Sequence, residues 1–309
     1  MTLTVPDLAQ DIDRLKRQRN AIILAHSYER PEVQDVADFV GDSLGLSRLA
    51  ASTDAEIIVF AGVYFMAETA AILNPSKTVL IPDQEAGCSL SDTITAKDVQ
   101  AWRDDHPDGQ VVAYVNTTAE VKALADVCVT SANAVEIVKG LDPNRPIFFL
   151  PDMFLGAFVE KQTGMKMDVW MGECHVHAGI GDKEIKETLA AHPDAEFLIH
   201  PECSCGSSCL FLKPDAKMLS TEGMVRFAQS SEKSEFVVAT EVGIIHRLNK
   251  MASGKTFFPV KETAVCQYMK MITLEKIHAS LLETKHVVTV APETAAKARR
   301  AIDAMLLVG

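Results

Sequence analysis

The stretch AIILAHSY, residues 21–28, decides the fold: an apolar run of strand length that stops at three polar groups, His26, Ser27 and Tyr28. A strand apolar at nearly every position is covered on both faces, as in a parallel sheet with helices packed above and below. Working outward, QVVAYVN ends the same way at Tyr114-Val115-Asn116, and EFLIHPE at His200-Pro201-Glu202; the three endings begin 88 and 86 residues apart. A hydroxyl follows each ending. Ser43 is 17 residues after His26, Ser131 is 17 after Tyr114, and Ser220 and Thr221 are 20 and 21 after His200. Each precedes a helical pattern and is expected about where an N-cap would sit. A further strand then recurs (IIVFAG, IFFLPD, FVVATE), followed by a helix and a short run ending at Cys88, Cys174 and Cys266, 86 and 92 residues apart.

This spacing predicts an α/β protein of three similar units with short, mostly parallel sheets. The expected bounds are residues 1–95 including an N-terminal helix, 96–183 and 184–272, with 273–309 as a C-terminal helical segment packed on them. Ligands of open parallel sheets bind beyond the carboxyl ends of the strands. Equivalent polar residues of three units can converge there only around a common pseudo-threefold axis, and the convergence point is the expected active site.

Composition narrows the function. At about 150 residues per domain, 309 residues allow two domains or three small ones, and 48% hydrophobic with 23% charged residues is the balance of an ordinary globular protein. A net charge of −12 repels nucleic acid and anionic membrane surfaces unless a basic stripe overrides it. The densest basic run, Arg14-Leu15-Lys16-Arg17-Gln18-Arg19, reads as the solvated face of a helix. The longest apolar stretch, from Ile57 to Ala67, is about half the ~20 residues a membrane helix needs, and the N-terminus carries no apolar signal region. The expectation is a cytoplasmic protein that binds neither nucleic acid nor membrane.

Seven cysteines, an odd number without an export signal, point to metal or redox chemistry rather than disulfides. Cys88, Cys174 and Cys266 would occupy equivalent loops and supply three thiolates with no fourth. An iron–sulfur cubane held by three leaves one iron with an exchangeable position, able to act as a Lewis acid. Zinc is the other candidate, although remote cysteines are less typical of it than short Cys-x-x-Cys pairs. The competing set is Cys203-Ser-Cys205-Gly-Ser-Ser-Cys209, whose spacing is local but has no counterpart in the other units. Its blander reading is exposed or redox-sensitive thiols beside the site. Cys128, inside DVCVTS, reads as a buried structural thiol.

Long runs spread over nearly the whole chain resemble the quinolinate synthase family: AHSYERPEVQDVADFVGDSLGLS, FAGVYFMAETAAILNPSKTVLIPD with AGCSLSD, YVNTTAEVKALADVCVTSANAVEIV, FLPDMFLG, GECHVH, HPECSC, LSTEGM, ATEVGIIHRL and VCQYMKMIT. The resemblance implies three homologous three-layer αβα domains around a pseudo-threefold axis. It also implies a [4Fe–4S] cluster on Cys88, Cys174 and Cys266. The implied reaction condenses iminoaspartate with dihydroxyacetone phosphate to quinolinate, inorganic phosphate and two waters in de novo NAD biosynthesis, with no redox change and a possible link to the enzyme supplying iminoaspartate. Cys205 and Cys209 depart from the family pattern and leave a thiol switch open. The rival readings are another [4Fe–4S] hydro-lyase, a non-catalytic iron–sulfur redox sensor and a zinc-stabilised binding protein.

Substrates with two carboxylates and a phosphate require local donors in an acidic protein. Ser43, Ser131, Ser220 and Thr221, with the N–H groups of the helices they precede, are the expected anion binders. Closing a pyridine ring needs proton removal from carbon and proton delivery to leaving hydroxyls. Glu202 is the expected general base or acid and Tyr28 the proton shuttle. His26 and His200 would polarise ketone or carboxylate oxygens, while Tyr114 and Asn116 would contact the carboxylate-bearing end. His175 and His177 are expected to orient the Cys174 loop or bond cluster sulfurs. Met165, Met167 and Met171 read as core or a mobile flap, and Glu68 as part of a helix turn facing the site.

Overall fold

The computed structural model describes residues 5–204 and 213–308. It contains three four-stranded sheets, each drawn from one continuous stretch of chain. The first holds β1 (Ala21–His26), β2 (Phe39–Gly41), β3 (Ile57–Ala61) and β4 (Thr78–Leu80). The second holds β5 (Gln110–Tyr114), β6 (Val127–Val129), β7 (Ile147–Leu150) and β8 (Asp168–Val169). The third holds β9 (Glu196–Ile199), β10 (Lys217–Met218), β11 (Glu235–Ala239) and β12 (Thr256–Pro259). All strand pairs are parallel, and the order is the same in each sheet: second, first, third, fourth. The expected α/β class with short parallel sheets and αβα layers is the observed one.

The central strands are buried along their length because both faces carry helices, so they read as apolar runs rather than alternating ones. Phe60, Phe149, Phe197 and Phe236 are fully buried on β3, β7, β9 and β11, each contributing on the order of 2–3 kcal/mol of apolar burial. The helix Val5–Gln18 buries Leu8, Ile12 and Leu15 at helical spacing and packs on Leu274–Glu283. Only part of its basic run is solvated: Arg14 and Arg17 face outward and pair with Asp11 and Asp13, whereas Lys16 bonds the Val36 carbonyl and Asp38, and Arg19 the Leu281 carbonyl and Thr284. The helix Pro292–Leu306 packs across Tyr64–Leu73, Ala119–Lys122 and β6. Among the described residues no helix is long and apolar enough to cross a membrane.

The shared strand order matters for function. The chain leaves the first strand in one direction and returns to the third strand on its other side. The carboxyl ends of these two strands therefore flank the crevice where such sheets bind ligands. His26-Ser27-Tyr28, Tyr114-Val115-Asn116 and His200-Pro201-Glu202 lie at or just beyond the ends of β1, β5 and β9.

Candidate active site

Three loops with one backbone geometry carry the cysteines. The carbonyl two residues before each cysteine accepts an N–H from a residue just past its unit's third strand. The pairs are Tyr64 N to Ala86 O at 2.7 Å, Met153 N to Gly172 O at 2.9 Å and Val242 N to Ala264 O at 3.0 Å. The cysteine carbonyl then accepts the N–H four residues on: Asp92 to Cys88 at 3.1 Å, Ala178 to Cys174 at 2.8 Å and Lys270 to Cys266 at 3.1 Å. Each cysteine thus opens a helical turn, where backbone N–H groups are left without intrahelical partners. The Leu90 and Ser91 amides donate to the Cys88 sulfur, and those of Tyr268 and Met269 to Cys266. Burial outweighs these bonds and pushes both thiols up, Cys266 to about 11. Gly172 is needed for the close approach, since a Cβ there would stand 2.5 Å from the Pro151 carbonyl oxygen.

The three cysteines line one cavity, together with His26, Tyr28, Ser43, Tyr114, Asn116, Ser131, His200, Glu202 and Thr221. The strand endings are built alike here too. His26 Nδ1 accepts the Tyr28 N–H at 3.2 Å, and His200 Nδ1 accepts that of Glu202 at 3.4 Å. Nδ1 is then the acceptor and Nε2 carries the proton of each neutral ring. Burial, with the Arg247 charge adding to it, holds His26 at about 3. Burial also lowers His200 to about 4 against the pull of Glu202, and its Nε2 lies 3.3 Å from Ser131 Oγ. Both rings are neutral N–H donors at physiological pH.

Glu202 is the anionic centre. Burial works to raise it, but His177, then His200 and the Tyr114 hydroxyl, hold it down at about 2. Tyr114 OH donates to Oε1, and His177 Nδ1 pairs with Oε2 at 3.0 Å. His177 is protonated: burial lowers it, while the Cys174 sulfur and Glu202 raise it by more. His177 Nε2 lies 2.8 Å from Thr240 Oγ1, which lies 2.6 Å from Tyr28 OH; Thr221 Oγ1 is 3.2 Å from the same phenol. Burial raises Tyr28, so it stays a phenol and can donate. Asn116 Oδ1 is buried without a partner.

The hydroxyls differ from expectation. Asp42, not Ser43, caps the helix Ser43–Ser52 by accepting the Gly45 N–H at 2.8 Å. Ser131 lies before Asn133, which precedes the helix Ala134–Lys139. Asp42 and Asn133 take the N-cap positions of these two helices, and both serine hydroxyls line the cavity instead, Ser131 beside His200 Nε2. Ser220 is a true cap, bonded to the Gly223 N–H at 3.2 Å, and it lines an adjoining pocket instead.

Glu68 is buried against the Ala119 N–H at 3.1 Å and does not line the cavity; its neighbours Phe65 and Met66 do. Cys128 is buried on β6 as expected. Cys203 is also buried, with its sulfur bonded to the Ala239 carbonyl, whereas Cys205 and Cys209 lie outside the described residues. Met165 and Met167 pack partly on the core and Met171 is exposed.

Sequence reasoning gave His177 a role in orienting the Cys174 loop or bonding cluster sulfurs, not as the partner of Glu202, and passed over Thr240, Asp152, Glu241 and Lys270. Glu241 is fully buried; its Oε1 accepts the Cys266 N–H at 3.1 Å and pairs with Lys270 Nζ at 3.0 Å, and its Oε2 accepts the Gly243 N–H at 2.6 Å. Lys270 Nζ also donates to the Tyr28 carbonyl, tying the third cysteine loop to the first strand ending. Gly243 leaves room for this brace: a Cβ there would lie 2.7 Å from Glu241 Oε2, Lys270 Nζ and the Tyr28 carbonyl oxygen. The signal available was a carboxylate at corresponding ends of two third strands, Asp152 and Glu241.

Comparison with known proteins agrees with this architecture. The family described as "Quinolinate synthetase A protein" matches residues 10–307. Quinolinate synthase of Thermus thermophilus is 70% identical over 302 residues, spanning 98% of this chain and 97% of the relative. That of Pyrobaculum aerophilum is 55% identical over 302 residues, covering 96% and 98%. That of Mycobacterium leprae is 52% identical over 309 residues, covering 97% and 88%. With three cysteine loops of one geometry around a single acid–base cavity and identity sustained along the whole chain, the protein belongs to the quinolinate synthase family of enzymes.

Proposed function

We propose that this protein condenses iminoaspartate with dihydroxyacetone phosphate to quinolinate, inorganic phosphate and two waters, using a [4Fe–4S] cluster held by Cys88, Cys174 and Cys266. The observation that carries the reading is the cavity itself, lined both by the three cysteines that open helical turns and by Glu202, Tyr28 and the histidines. The donor set fits: three sulfurs in equivalent loops, two of them under backbone N–H groups that stabilise a thiolate. When bound, the cluster supplies a Lewis-acidic iron with one exchangeable position.

The chain's own residues account for binding and proton transfer. The neutral Nε2–H groups of His26 and His200 donate to substrate carbonyl or carboxylate oxygens and polarise them without adding a full positive charge. Ser43, Ser131 and Thr221 add hydroxyl donors for the carboxylate and phosphate groups, with Ser220 holding its helix start in place. Asn116 Oδ1 is an acceptor for a substrate N–H or O–H, next to Tyr114 on the same strand ending. Glu202, ionised and buried, takes protons from carbon. Its partner His177 stabilises the carboxylate before transfer, and Tyr114 orients it. Tyr28, set by Thr240 and Thr221, donates to departing hydroxyls.

The reaction is proposed to run in the cytoplasm, where thiols stay reduced. Because the imine substrate reacts with water, handover from the enzyme that makes it belongs to the same reading. The test is quinolinate formation from the two substrates after anaerobic iron and sulfide reconstitution. Cys88→Ala, Cys174→Ala and Cys266→Ala should each lose the cluster, while Cys205→Ala and Cys209→Ala keep it; the reverse result overturns the ligand assignment. Glu202→Gln should keep its iron and lose roughly 10²–10⁴-fold in kcat, the range of a positioned general base.

A further inference from the structure

We propose that Cys174, His177 and Glu202 form a second metal site, taking a single divalent ion of borderline softness such as zinc or iron(II) whenever Cys174 is free of a cluster. One donor atom from each residue lies within 4.8 Å of the others, and His177 and Glu202 are buried. Cys174 opens the helical turn His175–Ala178, so a Cys-x-x-His spacing sets sulfur and imidazole on one side of a single turn. Roughly 2.0–2.3 Å from a zinc ion to each donor means donors roughly 3.3–3.8 Å apart. His177 Nδ1 and Glu202 Oε2 are already 3.0 Å apart, and a ligand atom of each residue, the Cys174 sulfur included, lies within 4.8 Å of the others.

The neighbours complete the site. His177 Nδ1 is buried against Glu202 Oε2, while Nε2 is held by Thr240 Oγ1 at 2.8 Å, the outer contact that fixes a metal-binding imidazole. Tyr114 occupies Glu202 Oε1 and leaves Oε2 to the ion. Cys174, His177 and Glu202 all line the main cavity, which leaves a fourth position open to water, as in a three-ligand zinc centre. With Cys174 committed to this ion a cluster is left two of its three sulfurs, so a mononuclear ion here blocks cluster loading and occupies the proposed base. That competition rests on the cluster reading above; the mononuclear site does not.

The full-length, cluster-free protein is titrated with cobalt(II) under anaerobic conditions. The expected result is one equivalent bound, with the visible bands of tetrahedral cobalt and a charge-transfer band of one thiolate. Cys174→Ser should abolish the thiolate band, with folding checked by circular dichroism. His177→Gln and Glu202→Gln should each weaken binding at least tenfold, and Thr240→Val about tenfold. Cys88→Ser, Cys266→Ser and the double variant Cys205→Ser/Cys209→Ser should bind as the parent does. A band of three thiolates, dependence on Cys88 or Cys266, or indifference to His177→Gln overturns the site. In a second arm, one equivalent of zinc added before iron and sulfide should suppress cluster formation in the parent and spare it in His177→Gln. Equal suppression in both overturns the competition. If no zinc-free sample takes up iron and sulfide, the cluster reading fails while the cobalt result still decides the mononuclear site.

Discussion

The third strands of the three units end alike in backbone and unlike in charge. Each is followed by an amide that bonds the carbonyl two residues before a cysteine. The side chain immediately ahead of that amide is Val63 in the first unit, Asp152 in the second and Glu241 in the third. Val63 is buried and caps nothing. Asp152 caps the helix Met153–Thr163 through Oδ1, bonded to the Leu155 N–H at 2.7 Å, and leaves Oδ2 buried without a partner. Burial, with the Glu202 charge adding to it, raises Asp152 well above the usual carboxylate range. Glu241 instead gathers the Cys266 amide and an ammonium. The difference separates two jobs: backbone bonds repeat wherever a sulfur must be placed, and side-chain charge varies wherever a unit must do something its counterparts do not.

The strongest way to break this comparison is to remove the ammonium that only the third unit has. Lys270→Met leaves Glu241 buried without its cation and should cost about 3 kcal/mol in chemical denaturation. That is the low end for an orphaned buried ion, because Glu241 can take up a proton. Adding Glu241→Gln to Lys270→Met should recover most of the loss, and no recovery would mean that Lys270 acts through the Tyr28 carbonyl and the buried Glu29 carboxyl instead.

A second test contrasts the strand endings that carry a histidine with the one that carries Tyr114. His26 titrates near 6.5 in the unfolded chain and at about 3 when folded. Between those values the unfolded state alone holds the extra proton, so stability is fully present above about pH 6.5. It should fall by about 1.4 kcal/mol per pH unit toward pH 3. Thermal melts of His26→Gln from pH 7 to pH 4 should show a shallower decline than the parent; parallel curves would refute the assignment. The smallest effect is expected at the second unit's cap. Asp152→Asn retains an acceptor for the Leu155 amide and should stay within ~0.5 kcal/mol of the parent, while Asp152→Ala should lose about 1 kcal/mol.

The fold was legible because its signals are local and repeated. Runs such as AIILAH and QVVAYVN are apolar on both faces, and the recurrence of His26, Tyr114 and His200 at nearly constant spacing exposed three units before any contact was known. The cysteine spacing found the cavity wall in the same way. The caps were harder, because Asp42 and Ser43 are adjacent and either can end a helix; only backbone dihedrals decide between them. The braces were not legible at all. Lys270 and Glu241 become a pair only when a turn after Cys266 folds back on the end of β11, and His177 gains its weight from Glu202 and Thr240, which are 25 and 63 residues away in sequence.

The matched cysteine loops bear on how such a chain could arise. A ring of three identical copies of one unit would already aim three sulfurs at a shared centre, since the bonds that set each loop are internal to its own unit. Such a ring is bound by its symmetry to repeat every side chain three times, phenol, imidazole and carboxylate included. Joining the copies end to end removes that obligation and lets one position hold a valine, an aspartate and a glutamate while the sulfur frame stays put.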